Sequence, residues 1–479
     1  MKNRTSNIPI AFCCLLLFAI LIAPKTAKAQ EWSEPITIFQ GTYYAQYMDI
    51  AIDNNNHIHV VWEYHMSDNL RKILYSKSTD QGETWSEPYD IVNNVSLWMS
   101  DPKIAVGPDN KIYVTYAHNA GSTAQTTVHM QIFNGDFWSE PIDVSEGMRT
   151  SHRSILVMDK SGILHIFWHR FSTRELLYRT YSNGDFSPIS SPYPSNKRVS
   201  NTKVQLDKYN NIHAITSELS QSGVSHITYF KKVKNIWTYP DSVCKPRYVS
   251  MSLAIGKNCE PHIVWVSRAN YMDTTHYTTI NNQWQTSINQ WQTSVLTPKR
   301  SNKHSMIVEL NGTVHIVQSE ETETGYNQMH YTLKNDIWTS QIIESGERKF
   351  YNHKLVTKDT LLYLMFFNSP SSNSNIRLLI RKLKIENQNP NSIEQTADLT
   401  GFTLRVFPNP SKIRQGIKIE TNSTGSVQVE IYNIKGFLVF KTTAPPSQNI
   451  METKIPPGVY LVKAISDKQV KTETIVITE

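Results

Sequence analysis

Cysteine is scarce in this chain: four in 479 residues, of which Cys13 and Cys14 lie in an apolar run near the start and only Cys244 and Cys259 lie beyond it. A disulfide-stapled scaffold is excluded, and a chain of this length buries a large core without one. No stretch after residue 29 is long and apolar enough to cross a bilayer. A one-signed charge surplus is missing too. The formal net charge is +7, but residues 1–29 hold four basic and no acidic side chains, and residues 403–479 hold ten basic against six acidic. The stretch between them carries a net charge of −1. The basic balance belongs to the two ends, so nucleic acid is not the expected partner.

The first residues read as an export signal. Lys2 and Arg4 precede an apolar run from Ile8 to Ala23, and Thr26-Ala27-Lys28-Ala29 supplies small residues ahead of a cut before Gln30. Charge, short apolar run and small-residue site in that order specify a cleaved signal peptide over residues 1–29 rather than an anchor.

The far end is a separate module. Residues 385–402 are polar and without a core pattern, a linker composition. Short alternating runs divided by Gly and Pro follow over 403–479, which argues a small antiparallel sandwich. Phe407-Pro408-Asn409-Pro410, Ile431-Tyr432-Asn433-Ile434-Lys435-Gly436 and Pro457-Gly458-Val459-Tyr460-Leu461 stand there in order. They resemble the C-terminal sorting domain of type IX secretion substrates. That resemblance implies a Bacteroidetes-type source, the type IX machinery as partner, and release or surface attachment.

The body, residues 30–384, is one unit repeated. An apolar strand with a ring at a fixed place recurs as IHVVW, IYVTY, LHIFW, IHAIT, PHIVW, VHIVQ and LYLMF. The ring column is His59, Tyr113, His165, His213, His262, His315 and Tyr363, at separations of 54, 52, 48, 49, 53 and 48 residues. Each copy has a strand before it and two after it, the last often opened by tryptophan, as in TWSEPYDIV (84–92) and FWSEPIDVS (137–145). Four strands per roughly 50 residues specify a propeller blade. The seventh unit has only three strands, and the missing one stands at the front as EWSEPITIF (31–39). The expectation is an all-β, seven-bladed β-propeller closed by its N-terminal strand. A tandem copy, NQWQTSI then NQWQTSV, lengthens the fifth unit.

One turn points to a superfamily. Ser78-Thr79-Asp80-Gln81-Gly82-Glu83-Thr84-Trp85 fits S-x-D-x-G-x-T-W, in which aspartate binds turn backbone, glycine permits the dihedral angles and tryptophan plugs the outer strands. It resembles the Asp-box of sialidase-like propellers and speaks for architecture rather than chemistry.

Ligand chemistry is expected on the face opposite that turn, where second strands end and inner strands begin. The five ring-column histidines are read as repeated packing, not metal ligands, and no metal or cofactor is called for. Five residues past that column every unit is polar: Tyr64, His118, Arg170, Glu218, Ser267, Glu320 and Asn368. Inner-strand starts add Tyr47, Asp101, His152, Arg153 and His353, among others, and His65 and His169 adjoin. The candidate catalytic set is His118, Asp101, His152, Arg153, His169 and Arg170, because imidazoles, guanidiniums and a carboxylate at one mouth suit a polar ligand. Arg268, Glu320, Trp98 and Tyr351 are the candidate substrate-binding residues.

Three functions compete. A true sialidase needs an early F/Y-R-I-P motif, but Gly41-Thr42-Tyr43-Tyr44-Ala45-Gln46 has no arginine there, only one full Asp-box is present, and seven units replace six. A lyase or hydrolase acting on uronate-containing or sialylated glycans needs a cation on the carboxylate and a His or Tyr for proton transfer, both of which are present. A non-catalytic glycan-binding propeller needs only aromatic platforms such as Trp98 and Tyr351. Cys244 and Cys259 are expected to be unpaired, since a strand spanning roughly 17–20 Å separates them.

Overall fold

The computed structural model describes residues 31–385 apart from 68–69, 93–97, 120–124, 195–196, 220–224, 245–249, 270–271, 281–290, 298, 300 and 370–374. It also describes residues 404–478 apart from 408–410, 413–416, 422–426, 434–436, 445–449, 452–454 and 467–468. The signal peptide, most of the linker, the first NQWQTSI copy and the Pro408-Asn409-Pro410 motif lie outside the described residues. Among the described residues the elements are strands joined by turns, and no helix is long and apolar enough to span a membrane. The chain divides into two compact units, one up to Pro390 and one from Asn391.

Among its described residues the first unit holds seven antiparallel sheets met in chain order. Their innermost strands are Ala45–Ile52, Trp98–Val106, Ser151–Met158, Arg198–Leu206, Ser250–Ile255, Ser301–Val308 and Lys349–Lys358. Strand Ile36–Gly41 joins the seventh sheet as its outermost member, pairing Ile36 with Ile380 and Gly41 with Ile376. Ser33 extends the contact, its N–H donating to the Lys382 carbonyl at 2.8 Å. The N-terminal strand therefore lies where the repeat places it.

Each hydrophobic cluster of this unit draws on two successive sheets. Val61, Ile73, Met99 and Val114 link the first to the second, and Phe167, Tyr178, Val204 and Phe230 link the third to the fourth. Another holds Ile50 and Trp62 of the first sheet against Met365 and Phe367 of the seventh and Ile38 of strand Ile36–Gly41. Side chains of both faces of the second strands are thus buried, as Trp62 and Val61 show, which is why runs such as IHVVW lack a polar face.

The tryptophan-led outer strands are shorter than their sequence runs. Of TWSEPYDIV only Tyr89–Asp90 is strand, and of FWSEPIDVS only Ile142–Asp143. Pro88 and Pro141 carry no N–H for the ladder. Ile337–Gly346, which has no proline, runs unbroken for ten residues.

The ring column is structural. In the first sheet His59 meets the Tyr75 hydroxyl at 2.7 Å and the Asp53 carboxylate at 3.4 Å. His165 sits between Tyr178 and Asp159, and His213 between Tyr229 and Asp207. His262 does the same with Tyr277 and Glu260, and His315 with His330 and Glu309. Each carboxylate also closes the turn before its histidine, as Asp53 does by accepting the Asn55 and His57 N–H groups at 2.8 Å. Cys244, on a broken outer strand of the fourth sheet, and Cys259, in a turn, are both free.

The second unit holds a five-stranded and a three-stranded sheet. Val427, Val429, Ile431, Tyr460, Val462 and Ile475 form its core, one residue in two along each strand.

Candidate functional site

Six of the seven innermost strands break register at the same level, between Gln46 and Met48, Ser100 and Lys103, His152 and Ile155, Val199 and Thr202, Asn302 and Ser305, and Tyr351 and Lys354. Four of these bulges hold a non-glycine residue at positive φ: Tyr47 (46°), Asp101 (53°), Arg153 (54°) and Asn352 (53°). Bulges re-aim side chains, and strained non-glycine residues gather where function over-determines them. All four sit on the face away from the Asp80 turn. The second strand of the first sheet separates the two levels, running from Ile58, opposite Ser78, to Glu63, opposite Gln46.

Around Tyr47 and Asp101 the site is carboxylate-centred. Glu63 is fully buried, and its Oε1 accepts from Gln46 Nε2 at 3.0 Å, His65 Nε2 at 2.7 Å and Arg71 Nη1 at 3.1 Å. The Asp101 N–H approaches the other Glu63 oxygen at 3.4 Å. Arg71 lies 4.6 Å over the Trp98 ring. Burial, with Asp101 and Glu63, pushes the Tyr47 phenol up to about 12, while Arg153 opposes the shift. Tyr47, Asp101, Glu63 and Arg153, from three sheets, are therefore within electrostatic reach of one another.

Beside this the site turns basic. Burial, then Arg153 and Arg174, bring His152 down to about 4. Burial, then His152, Arg153 and Lys203, bring His169 to about 3. Both imidazoles are neutral at neutral pH, and neither has an anion among the groups that shift it. His152 packs 5.5 Å from Phe171, on whose other contact Arg174 rests at 3.8 Å. His169 is 4% exposed with both ring nitrogens unbonded. Arg153 donates to the Ser200 carbonyl at 3.2 Å.

Two residues beyond the bulges, Asp49, Lys103, Lys203 and Lys354 occupy equivalent positions on four innermost strands. Lys354 Nζ is 2.7 Å from Asp49. Burial alone would raise the Asp49 pKa, yet Lys354 and Lys103 hold it lowered. Three lysines against one aspartate make this level cationic.

Asp101, His152, Arg153, His169 and Trp98 are thus brought together, whereas the remaining candidates are not. His118 packs on the next strand of its own sheet, 4.6 Å from His129. Arg170 projects from the opposite side of its strand to His169. Glu320 is buried, with Tyr331, Gln318 at 2.9 Å and Lys299 at 3.6 Å on its oxygens, so it presents nothing to a ligand. Tyr351 stacks on Phe367 and donates to the Ala45 carbonyl at 3.3 Å. The Arg268 side chain lies outside the described set. Glu63, Arg71 and Arg174 were not among the candidates. A signal existed for Glu63: it is the fourth residue past its ring, and the fourth faces the next sheet's bulge while the fifth faces back. Among the described residues no cluster of His, Cys, Asp and Glu is arranged to hold a metal.

No curated protein matches the chain in sequence. Among solved structures, an ulvan lyase described as a new polysaccharide lyase family, with -[GlcA(1-4)Rha3S]- bound, aligns at a TM-score of 0.54 and 8% identity over 72% of this chain and 95% of its own. A second polysaccharide lyase aligns at 0.53 and 11% identity over 74% of this chain and 100% of its own. The likeness is one of fold, and the body shares the propeller-type architecture of these glycan-active proteins. Residues 405–478 match the secretion system C-terminal sorting domain, which marks the chain as a type IX secretion substrate bound for the cell surface or the medium.

Proposed function

We propose that the first unit is a seven-bladed propeller, closed by strand Ile36–Gly41, that cleaves anionic, uronate-containing glycans by β-elimination at the mouth. Ring closure is supported by the cluster that joins the seventh sheet to the first. The observation that carries the chemistry is a neutral His152 beside Arg153 and Arg174, with Arg153 also acting on a protonated Tyr47.

Arg153 and Arg174 take the uronate carboxylate, which makes the adjacent C5 proton acidic. His152 accepts that proton as the C4–O bond breaks and the C4–C5 double bond forms. Tyr47, kept protonated by burial and by the Asp101 and Glu63 carboxylates, gives its proton to the departing oxygen. Solvent then carries the proton from the imidazolium back to the tyrosinate.

The test is to incubate the purified full chain with uronate-rich and with sialylated polysaccharides and follow both reducing ends and the ultraviolet band of unsaturated uronates. Reducing ends together with that band support the elimination. Reducing ends without it assign a hydrolase, and binding without product assigns a glycan-binding propeller; either result overturns the reading.

A further inference from the structure

The fourth sheet carries a second cavity, at the same end as the mouth, where its second strand (Ile212–Leu219) ends and its third (Ser225–Val233) begins. It measures about 270 Å³ and is lined by Tyr193, Lys197, Glu218, His226, Tyr239 and Ser242, among others. Nothing in the proposed elimination uses these residues.

The repeat supplies an internal control. In three outer strands the residue before the proline is an exposed glutamate: Glu34-Pro35, Glu87-Pro88 and Glu140-Pro141. In the fourth sheet it is Tyr239, ahead of Pro240, a residue 80% exposed. The outer strand breaks there into Ile236–Trp237 and Asp241–Cys244, so the ring stands clear of the sheet. An aromatic residue set into solvent where the repeat keeps an acid does no packing for the blade.

Below it the polar groups are fixed. Glu218 accepts from the Tyr193 hydroxyl at 2.8 Å and pairs with Lys197 at 2.6 Å. The bond to Glu218 raises the Lys197 pKa; burial would raise that of Glu218, but Lys197 and Tyr193 hold it lowered. Both groups stay charged and cancel, so the pocket offers a fixed acceptor and a fixed donor without net charge.

We infer that this pocket is a second carbohydrate site, one that holds a single neutral sugar ring stacked on Tyr239 with vicinal hydroxyls on Glu218 and Lys197. A volume just under the roughly 300 Å³ at which drug-sized clefts begin suits one ring. The stacking aromatic with a paired donor and acceptor suits a sugar's apolar face and adjacent hydroxyls. The site is distinct from the mouth and does not depend on its chemistry.

Saturation-transfer difference spectra of the full chain with the methyl glycosides of glucose, galactose, mannose and xylose provide the test. At least one glycoside should receive saturation, keep it in Tyr239→Phe and in the mouth variant His152→Ala, and lose at least about four-fifths of it in Tyr239→Ala, whose exposed side chain the fold does not need. No transfer to any of the four, or transfer that persists in Tyr239→Ala, overturns the inference. Transfer lost in His152→Ala places the sugar at the mouth and overturns it equally.

Discussion

Arg71 donates to the buried carboxylate of Glu63 at 3.1 Å while its guanidinium covers the face of Trp98. Removing the cation leaves a fully buried carboxylate with one charged partner fewer, a change that costs about 3 kcal/mol. Arg71→Met is expected to lower stability by that order in urea unfolding. Trp98 fluorescence in the folded state should change with it, because the ring loses its cation.

The elimination chemistry sets a pH window wider than an ordinary histidine allows. His152 is neutral above about 4 and Tyr47 protonated below about 12. Turnover should hold through pH 6.5, where an unshifted imidazole would already be half protonated, and fall only toward the lower value. His152→Ala and Tyr47→Phe should each reduce kcat by at least about 100-fold. Arg153→Met should move the acid limb upward, since Arg153 depresses the His152 pKa.

Burial also couples histidines to acid stability. His169, His304 and His330 are each brought down to about 3, in every case chiefly by burial. Their folded pKa values lie below the unfolded value near 6.5. Between the two the unfolded chain binds more protons, so stability falls as pH drops from about 6.5 toward 3 and is flat above. His169→Leu, which removes two unbonded ring nitrogens, should unfold at the same or a higher temperature at pH 7 and show a shallower acid slope.

Asp80 ties its turn together, accepting from Ser78 Oγ at 2.8 Å and the Thr84 N–H at 2.9 Å. Asp80→Ala should lower stability by about 1 kcal/mol and leave glycan binding and turnover at the far face unchanged. A loss of activity in a folded Asp80→Ala protein would place the chemistry on the wrong face.

Strand Ile36–Gly41 covers a sheet edge. A chain beginning at Thr42 exposes the backbone of Ile376–Lys384, and open edges template association. Light scattering of the truncated protein should show oligomers or aggregates where the full mature chain is monodisperse.

Repeats made the architecture readable. Seven rings at near-constant spacing specified the sheets, and the likeness of EWSEPITIF to TWSEPYDIV located a strand whose partner lies more than three hundred residues away, as Ile36–Ile380 and Gly41–Ile376 do. The site was only half readable. Side chains alternate along a strand, so counting five rather than four residues past the ring moved the choice to the wrong face in several sheets. His118, Arg170 and Glu320 were selected in that way and Glu63 was passed over. The bulges at Tyr47, Asp101 and Arg153 left no mark in composition, because none is a glycine. Tyr351 was read as a platform from its ring alone, and its hydroxyl is spent on backbone.

The pairing of Ile36–Gly41 with Ile376–Lys384 also orders events in time. A chain is synthesised from its N-terminus, so strand Ile36–Gly41 exists long before its partner. Joining ends separated by more than three hundred residues costs about 5 kcal/mol of chain entropy if nothing between them has folded. The intervening sheets, each made of neighbouring hairpins, lower that cost by forming first. Until the last of them is made, the chain waits with two unpaired edges, and its period of greatest risk from association ends only with the arrival of residue 384.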